Sequence, residues 1–164
     1  AAALVAKAAE AWGRRRYYVT ATPDEPTPYP YGKFIGAEEF AIALQTQFVE
    51  NVGDVEYLTR LASSITAEGV TVSEDDGVSQ KITVRSGVTL KERETVRRRV
   101  ALAPYRTFSE VAQPASAFVF RVAADGQAPR CALFEADGGA WRLAATAAVK
   151  AWLNANTHNV AIIA

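Results

Sequence analysis

Near Gly69 the spacing of apolar residues changes from four to two, and that switch constrains the fold more than any other feature of the chain. Before it, Phe40, Leu44 and Phe48 recur every fourth residue within Ala37 to Asn51, with Ala41 and Ile42 beside them. This predicts an amphipathic helix with one broad apolar stripe. A second helix follows, with Asp54 as its cap, Leu58, Leu61 and Ile65 on its buried face and Gly69 at its end. Beyond Gly69, Val70 and Val72 alternate with polar residues and Asp76-Gly77 supplies a tight turn. Val78, Gln80, Ile82 and Val84 then share one strand face, so a hairpin is predicted.

Further strands are predicted at Val88 to Leu90, Thr95 to Leu102, Ala117 to Val122 and Arg130 to Glu135, with Asp125-Gly126 turning between the last two. A final helix from about Ala140 to Asn154 places Trp141, Ala145, Ala148 and Trp152 on one face, against the sheet. The expected class is therefore α+β: two helices, a mostly antiparallel sheet of about five strands, and a C-terminal helix packed on it. Phe40, Leu44, Phe48, Leu58, Leu61, Ile82, Val84, Phe118, Phe120, Leu133, Trp141 and Trp152 form the expected core. Burial of Val119 as well as Phe120 would mean a sheet covered on both sides.

The first thirty residues read differently. Alanine-rich Ala2 to Trp12, with Leu4, Ala8 and Trp12 four apart, predicts a short helix ended by Gly13, and Tyr17 to Ala21 a strand. Thr22 to Gly32 carries Pro23, Pro26, Pro28 and Pro30, which remove amide donors and fix φ, so an extended surface connection is expected. Residues 1–30 are thus read as an N-terminal helix, strand and proline-rich arm, and residues 31–164 as a single α+β domain. The sequence holds no methionine, position 1 included, from which a fragment or trimmed product is expected.

At 164 residues the chain is long enough to bury one core without a disulfide or metal. Its single cysteine, Cys131, and single histidine, His158, form no zinc spacing, and no cofactor is expected. Lysine plus arginine and aspartate plus glutamate balance at 18 each, so the long-range positive field of a non-specific DNA binder is missing. No apolar run reaches the roughly 18 residues of a membrane helix, and the first residues lack a signal peptide's pattern. A soluble, unexported protein with no membrane partner is expected.

Four clusters invite a chemical reading. Arg14, Arg15 and Arg16 precede Tyr17 and Tyr18, joining guanidinium groups to stackable rings as in single-strand nucleic-acid sites. Arg97, Arg98 and Arg99 lie in a predicted strand, where alternation places Arg97 and Arg99 on one face and Arg98 on the other. Glu74, Asp75 and Asp76 sit ahead of Gly77 without the ligand spacing of a calcium loop, and read as a turn. Asp137-Gly138-Gly139 leads into the last helix without a phosphate-loop lysine, and reads as a turn capped by Asp137. Nothing brings Cys131 and His158 together, and no serine lies in a strained nucleophile turn, so no catalytic residue is expected.

Several segments carry a likeness. They are Pro30-Tyr31-Gly32-Lys33-Phe34, Glu39-Phe40, Leu44-Gln45-Thr46-Gln47-Phe48-Val49, Asp75-Asp76-Gly77-Val78-Ser79-Gln80, Leu102-Ala103-Pro104-Tyr105-Arg106-Thr107-Phe108, Gln113-Pro114-Ala115-Ser116, and Ala132-Leu133-Phe134-Glu135-Ala136-Asp137-Gly138-Gly139-Ala140-Trp141. In this order they resemble uncharacterised proteins of tailed bacteriophages and prophages, with a fainter likeness to prophage YfdQ-type proteins. The resemblance covers about Tyr31 to Leu153. It implies a phage-encoded protein in the bacterial host cytoplasm, and transfers no catalytic residue.

Three function classes follow. The first is a non-catalytic phage protein that self-associates as a shell, scaffold or other assembly component, with itself or another phage protein as partner. The proline-rich arm (Pro26, Pro28, Pro30), the arginines Arg97 and Arg99, and the apolar tail (Val160, Ile162, Ile163) are its expected contacts. The second is a single-stranded nucleic-acid-binding accessory protein of replication or recombination, using Arg14 to Arg16 with Tyr17 and Tyr18. The third is an enzyme or host-defence antagonist with a pocket near Asp137 to Gly139.

Overall fold

The computed structural model describes residues 4–9, 15–23, 27–68, 70–75, 80–86, 89–124, 128–158 and 162. The fold is α+β, and every strand pairing is antiparallel. It begins with β1 (Leu4–Ala9) paired to β2 (Arg15–Ala21), where a helix was predicted over Ala2 to Trp12. Alanine favours helix, but so short a segment recovers little of the nucleation cost. As a strand it pairs with a partner that includes Tyr17, Val19 and Thr20, residues that favour extended backbone.

A short β3 (Ile35–Gly36) leads into α1 (Ala37–Gln47), and α2 (Val55–Glu68) follows. Next come β4 (Val70–Asp75), β5 (Gln80–Ser86) and β6 (Thr89–Val96), a three-stranded sheet in chain order. Val70 faces Val84 and Val72 faces Ile82, the predicted β4–β5 hairpin; its turn Asp76-Gly77 lies outside the described residues, as do Gly69 and Asp125-Gly126. The last elements are β7 (Arg99–Leu102), β8 (Ser116–Ala123), β9 (Arg130–Glu135) and α3 (Trp141–Asn156). Together β3, β9, β8 and β7, in that order, form a four-stranded sheet.

The strands are thus shared among three sheets, because the predicted strand Thr95 to Leu102 is broken at Arg97 and Arg98. Its first part ends β6 and its second is β7, each paired in a different sheet. The break occurs where the start of α2 captures the chain. The Arg97 amide donates to the Tyr57 hydroxyl (3.2 Å), and its guanidinium donates to Asp54 (3.1 Å) and lies 4.9 Å from the Tyr57 ring centre.

Central strand β8 alternates strictly: Ser116, Phe118, Phe120 and Val122 are buried, while Ala117, Val119, Arg121 and Ala123 are half-buried. Phe40 stacks on Phe120 at 5.4 Å, Phe48 meets Phe118 edge-on at 6.5 Å, and Tyr31 stacks on Phe118 at 5.5 Å. Leu44, Leu58, Leu61, Ile65 and Leu133 complete this core. The opposite face, marked by Val119, is only partly covered.

Burial departs from expectation at Tyr29 and at Trp152. Tyr29 is buried edge-on to Phe40 (6.2 Å) and Phe48 (5.7 Å), and the Gly32 amide donates to the Leu133 carbonyl (2.8 Å). The segment from Thr27 to Gly32 is therefore anchored, because burial of aromatic area outweighs the surface preference of the prolines around it. Trp152, expected in the core, is 40% exposed, and the buried residues of α3 are Ala145 and Leu153. An alanine-rich helix that is apolar on several sides gives a periodic pattern too weak to decide which face turns inward.

Asp54, whose carbonyl accepts from Leu58 at the start of α2 (3.0 Å), also reaches across to β7. Its amide donates to the Ala101 carbonyl (2.8 Å), and its Oδ2 accepts from the Ala101 amide (2.9 Å). With Val49 donating to Ala103 (2.8 Å) and Tyr105 to Gln47 (3.0 Å), the α1–α2 connection satisfies the outer edge of β7. Gly53 makes this approach feasible: its φ is +66°, and a Cβ there would lie 2.0 Å from the Ala101 carbonyl oxygen. Gly138 has a similar φ of +63° with open space around it. Gly138→Ala should therefore cost about 1 kcal/mol and Gly53→Ala more than about 2 kcal/mol. Urea unfolding of the two variants checks the difference; equal costs would contradict the clamp.

Candidate functional site

The end of β9 turns sharply into α3. Asp137 closes that turn: its Oδ1 accepts from the Gly139 amide (2.9 Å) and its Oδ2 from the Trp141 amide (3.3 Å). Gly138 and Gly139 take the left-handed backbone the turn needs. Arg142 donates to Gly139 (3.0 Å) and Leu143 to Ala140 (3.1 Å), so the amides that would bind a phosphate already have partners. Burial works to raise the Asp137 pKa. Hydrogen bonds from Gly139, Ser116 and Trp141, with the Arg106 charge nearby, outweigh it and hold the carboxyl below its ordinary value.

Beside this turn lies Arg106, whose side chain is 11% exposed. Its Nη1 donates to Glu135 (2.7 Å), its Nη2 donates to the Ser116 hydroxyl, and its guanidinium lies 4.3 Å from the Trp141 ring and 5.7 Å from Phe118. The Arg142 guanidinium is 5.0 Å from the same indole. Gln113 fixes the loop that presents Arg106, its Oε1 accepting from the amides of Arg106 and Thr107 (both 3.0 Å). Burial pushes the neighbouring Tyr31 hydroxyl up to about 12, with Arg106 partly opposing. Such a buried charge, paired and stacked, holds the start of α3 in place.

On one side α3 is mostly bare. Leu143 is 78% exposed, and Ala144, Ala147, Ala151 and Ala155 are exposed with it. Arg142 and Lys150 are its only charges. A helix that is apolar on its inward and outward sides is ordinarily buried on both.

The residues singled out in the sequence are dispersed. Arg15, Arg16 and Tyr17 pair across from Ala9, Ala8 and Lys7, and Tyr18 falls at the register shift of that ribbon. Arg97 is tied to Asp54, while exposed Arg99 sits in β7 opposite Val119, so the two do not share a strand. Pro28 is exposed, Pro30 is half-buried with its carbonyl accepting from Lys33 (3.2 Å), and Ile162 is half-buried. Arg14, Pro26, Val160 and Ile163 lie outside the described residues. Sequence reasoning missed Arg106, Glu135, Gln113 and Leu143 as parts of a site, since no local spacing connects them.

Cavities offer little chemistry. An open groove of about 730 Å³ runs beside Leu44, Glu50, Val55, Glu56, Arg60 and Ser63. A second of about 50 Å³, lined by Tyr29, Tyr31, Gln47 and Arg106 among others, has room for about one or two waters. Among the described residues no three His, Cys, Asp or Glu side chains are grouped to hold a metal, and no helix is long and apolar enough to cross a membrane. Compared with family models, curated proteins and solved structures, the chain matches none of them.

Two outcomes test the geometry. Asp137→Ala should cost about 1 kcal/mol at neutral pH, the worth of a helix cap. Because the folded carboxyl titrates below its ordinary 3.8, that contribution is present above 3.8 and fades as pH falls through the lower folded value, so wild type and variant should converge in acid unfolding. Cys131 is fully buried and its thiol is pushed up to about 12 by burial. Alkylation at mildly alkaline pH should be negligible in the native protein and fast after unfolding.

Proposed function

We propose that the protein is non-catalytic and acts by self-association, as a shell, scaffold or other assembly component of a tailed phage or prophage. The observation that carries this reading is the outer face of α3, where Leu143 and four alanines meet solvent on a helix anchored at its start. Exposed apolar surface of this kind marks a protein-binding face. The likeness to phage proteins supplies the setting, a bacterial host cell.

Light scattering of the purified protein over a range of concentrations tests the proposal. The expected result is a mass above the monomer that grows with concentration in the micromolar range. A monomer at every concentration would remove self-association as the function.

A further inference from the structure

We infer that the surface receiving α3 is helix α1 of a second copy of the chain, so that copies join head to tail. This rests on the self-association reading and names its contact. Two large apolar side chains stand well clear of the surface: Leu143, at 78% exposure, and Ile42, at 56%. Leu143 lies on α3, charged only by Arg142 and Lys150; Ile42 lies on α1, charged only by Glu38 and Glu39. On its own helix each bare aliphatic side chain is thus accompanied by charge of one sign only, and the signs are opposite.

Helical geometry makes each patch continuous. Glu38 and Glu39 precede Ile42 by four and three residues, which sets all three on one side of α1. On α3, Leu143, Ala147 and Ala151 follow at intervals of four, with Lys150 beside them. Alanines at the contact let two helix axes approach to about 8 Å. Pairing like with like fails on charge: α3 against α3 gathers four cations, and α1 against α1 gathers four carboxylates. The groove that begins at Leu44 and Gln45 of α1 is lined by two carboxylates, Glu50 and Glu56, and one cation, Arg60.

The placement of the charges on their own helices agrees. Glu38 and Glu39 in the first turn of α1 suit the helix dipole, whereas Arg142 in the first turn of α3 opposes it. A contact of one such helix on another is small beside the roughly 800 Å² per partner of a standard interface, so the association is reversible and weakened by salt. Because the two surfaces differ, the contact repeats from copy to copy and builds rings or filaments rather than a closed two-fold dimer.

The test uses Ile42→Gln and Leu143→Gln in the full chain, exposed positions where glutamine keeps the helix; circular dichroism and thermal melting verify folding. Each variant alone should weaken association at least about tenfold, since each loses its apolar anchor. Mixed, they should form a one-to-one dimer that grows no further, because the first retains an intact α3 and the second an intact α1. Three outcomes overturn the inference while leaving self-association standing: Ile42→Gln associates like wild type, neither substitution matters, or both weaken association but the mixture yields no dimer. A wild-type chain that stays monomeric removes both readings.

Discussion

Burial of Phe118 and Phe120 on the same side of β8 is the constraint that the rest of the architecture answers. Two large rings on one strand need an aromatic cover, and Phe40, Phe48, Tyr29 and Tyr31 supply it from α1 and the segments flanking it. Once α1 is fixed over β8, its connection to α2 must pass along the edge of β7. Asp54 pairs there with both backbone groups of Ala101, and Gly53 permits the approach. The Arg106 guanidinium reaches the same Phe118 ring, carries its pairing with Glu135 to the core margin, and seats Trp141 at the head of α3.

What the sequence reveals follows from how local each signal is. The α1–α2 pair and the β4–β5 hairpin were legible because their apolar periods are regular over many residues. The break at Arg97 was not, since its partner Asp54 lies 43 residues away. Arg106 and Glu135 are 29 apart, and nothing local announces their pairing. The N-terminal segment was misread because alanine spacing carries little information once a neighbouring strand is available to pair. Prolines hid Tyr29: the sequence shows four residues that prefer the surface, and the one ring between them decides where the chain goes.

Net neutrality of the chain conceals a separation of charge between elements. Helix α1 is acidic and α3 basic, and each exposes one large aliphatic side chain, Ile42 and Leu143. That arrangement suits repeated contacts between identical copies better than a long-range field aimed at a polyanion. The proposed contact therefore draws on two helices, while Tyr29 and Tyr31 of the proline segment pack against the core.

Amide hydrogen exchange measured as a function of protein concentration tests the central claim most directly. The account expects peptides from α1 and α3 to slow together as concentration rises, with peptides from β8 unchanged because they are already protected. Concentration-independent exchange in α3 would contradict it, and so would slowing in α3 without α1.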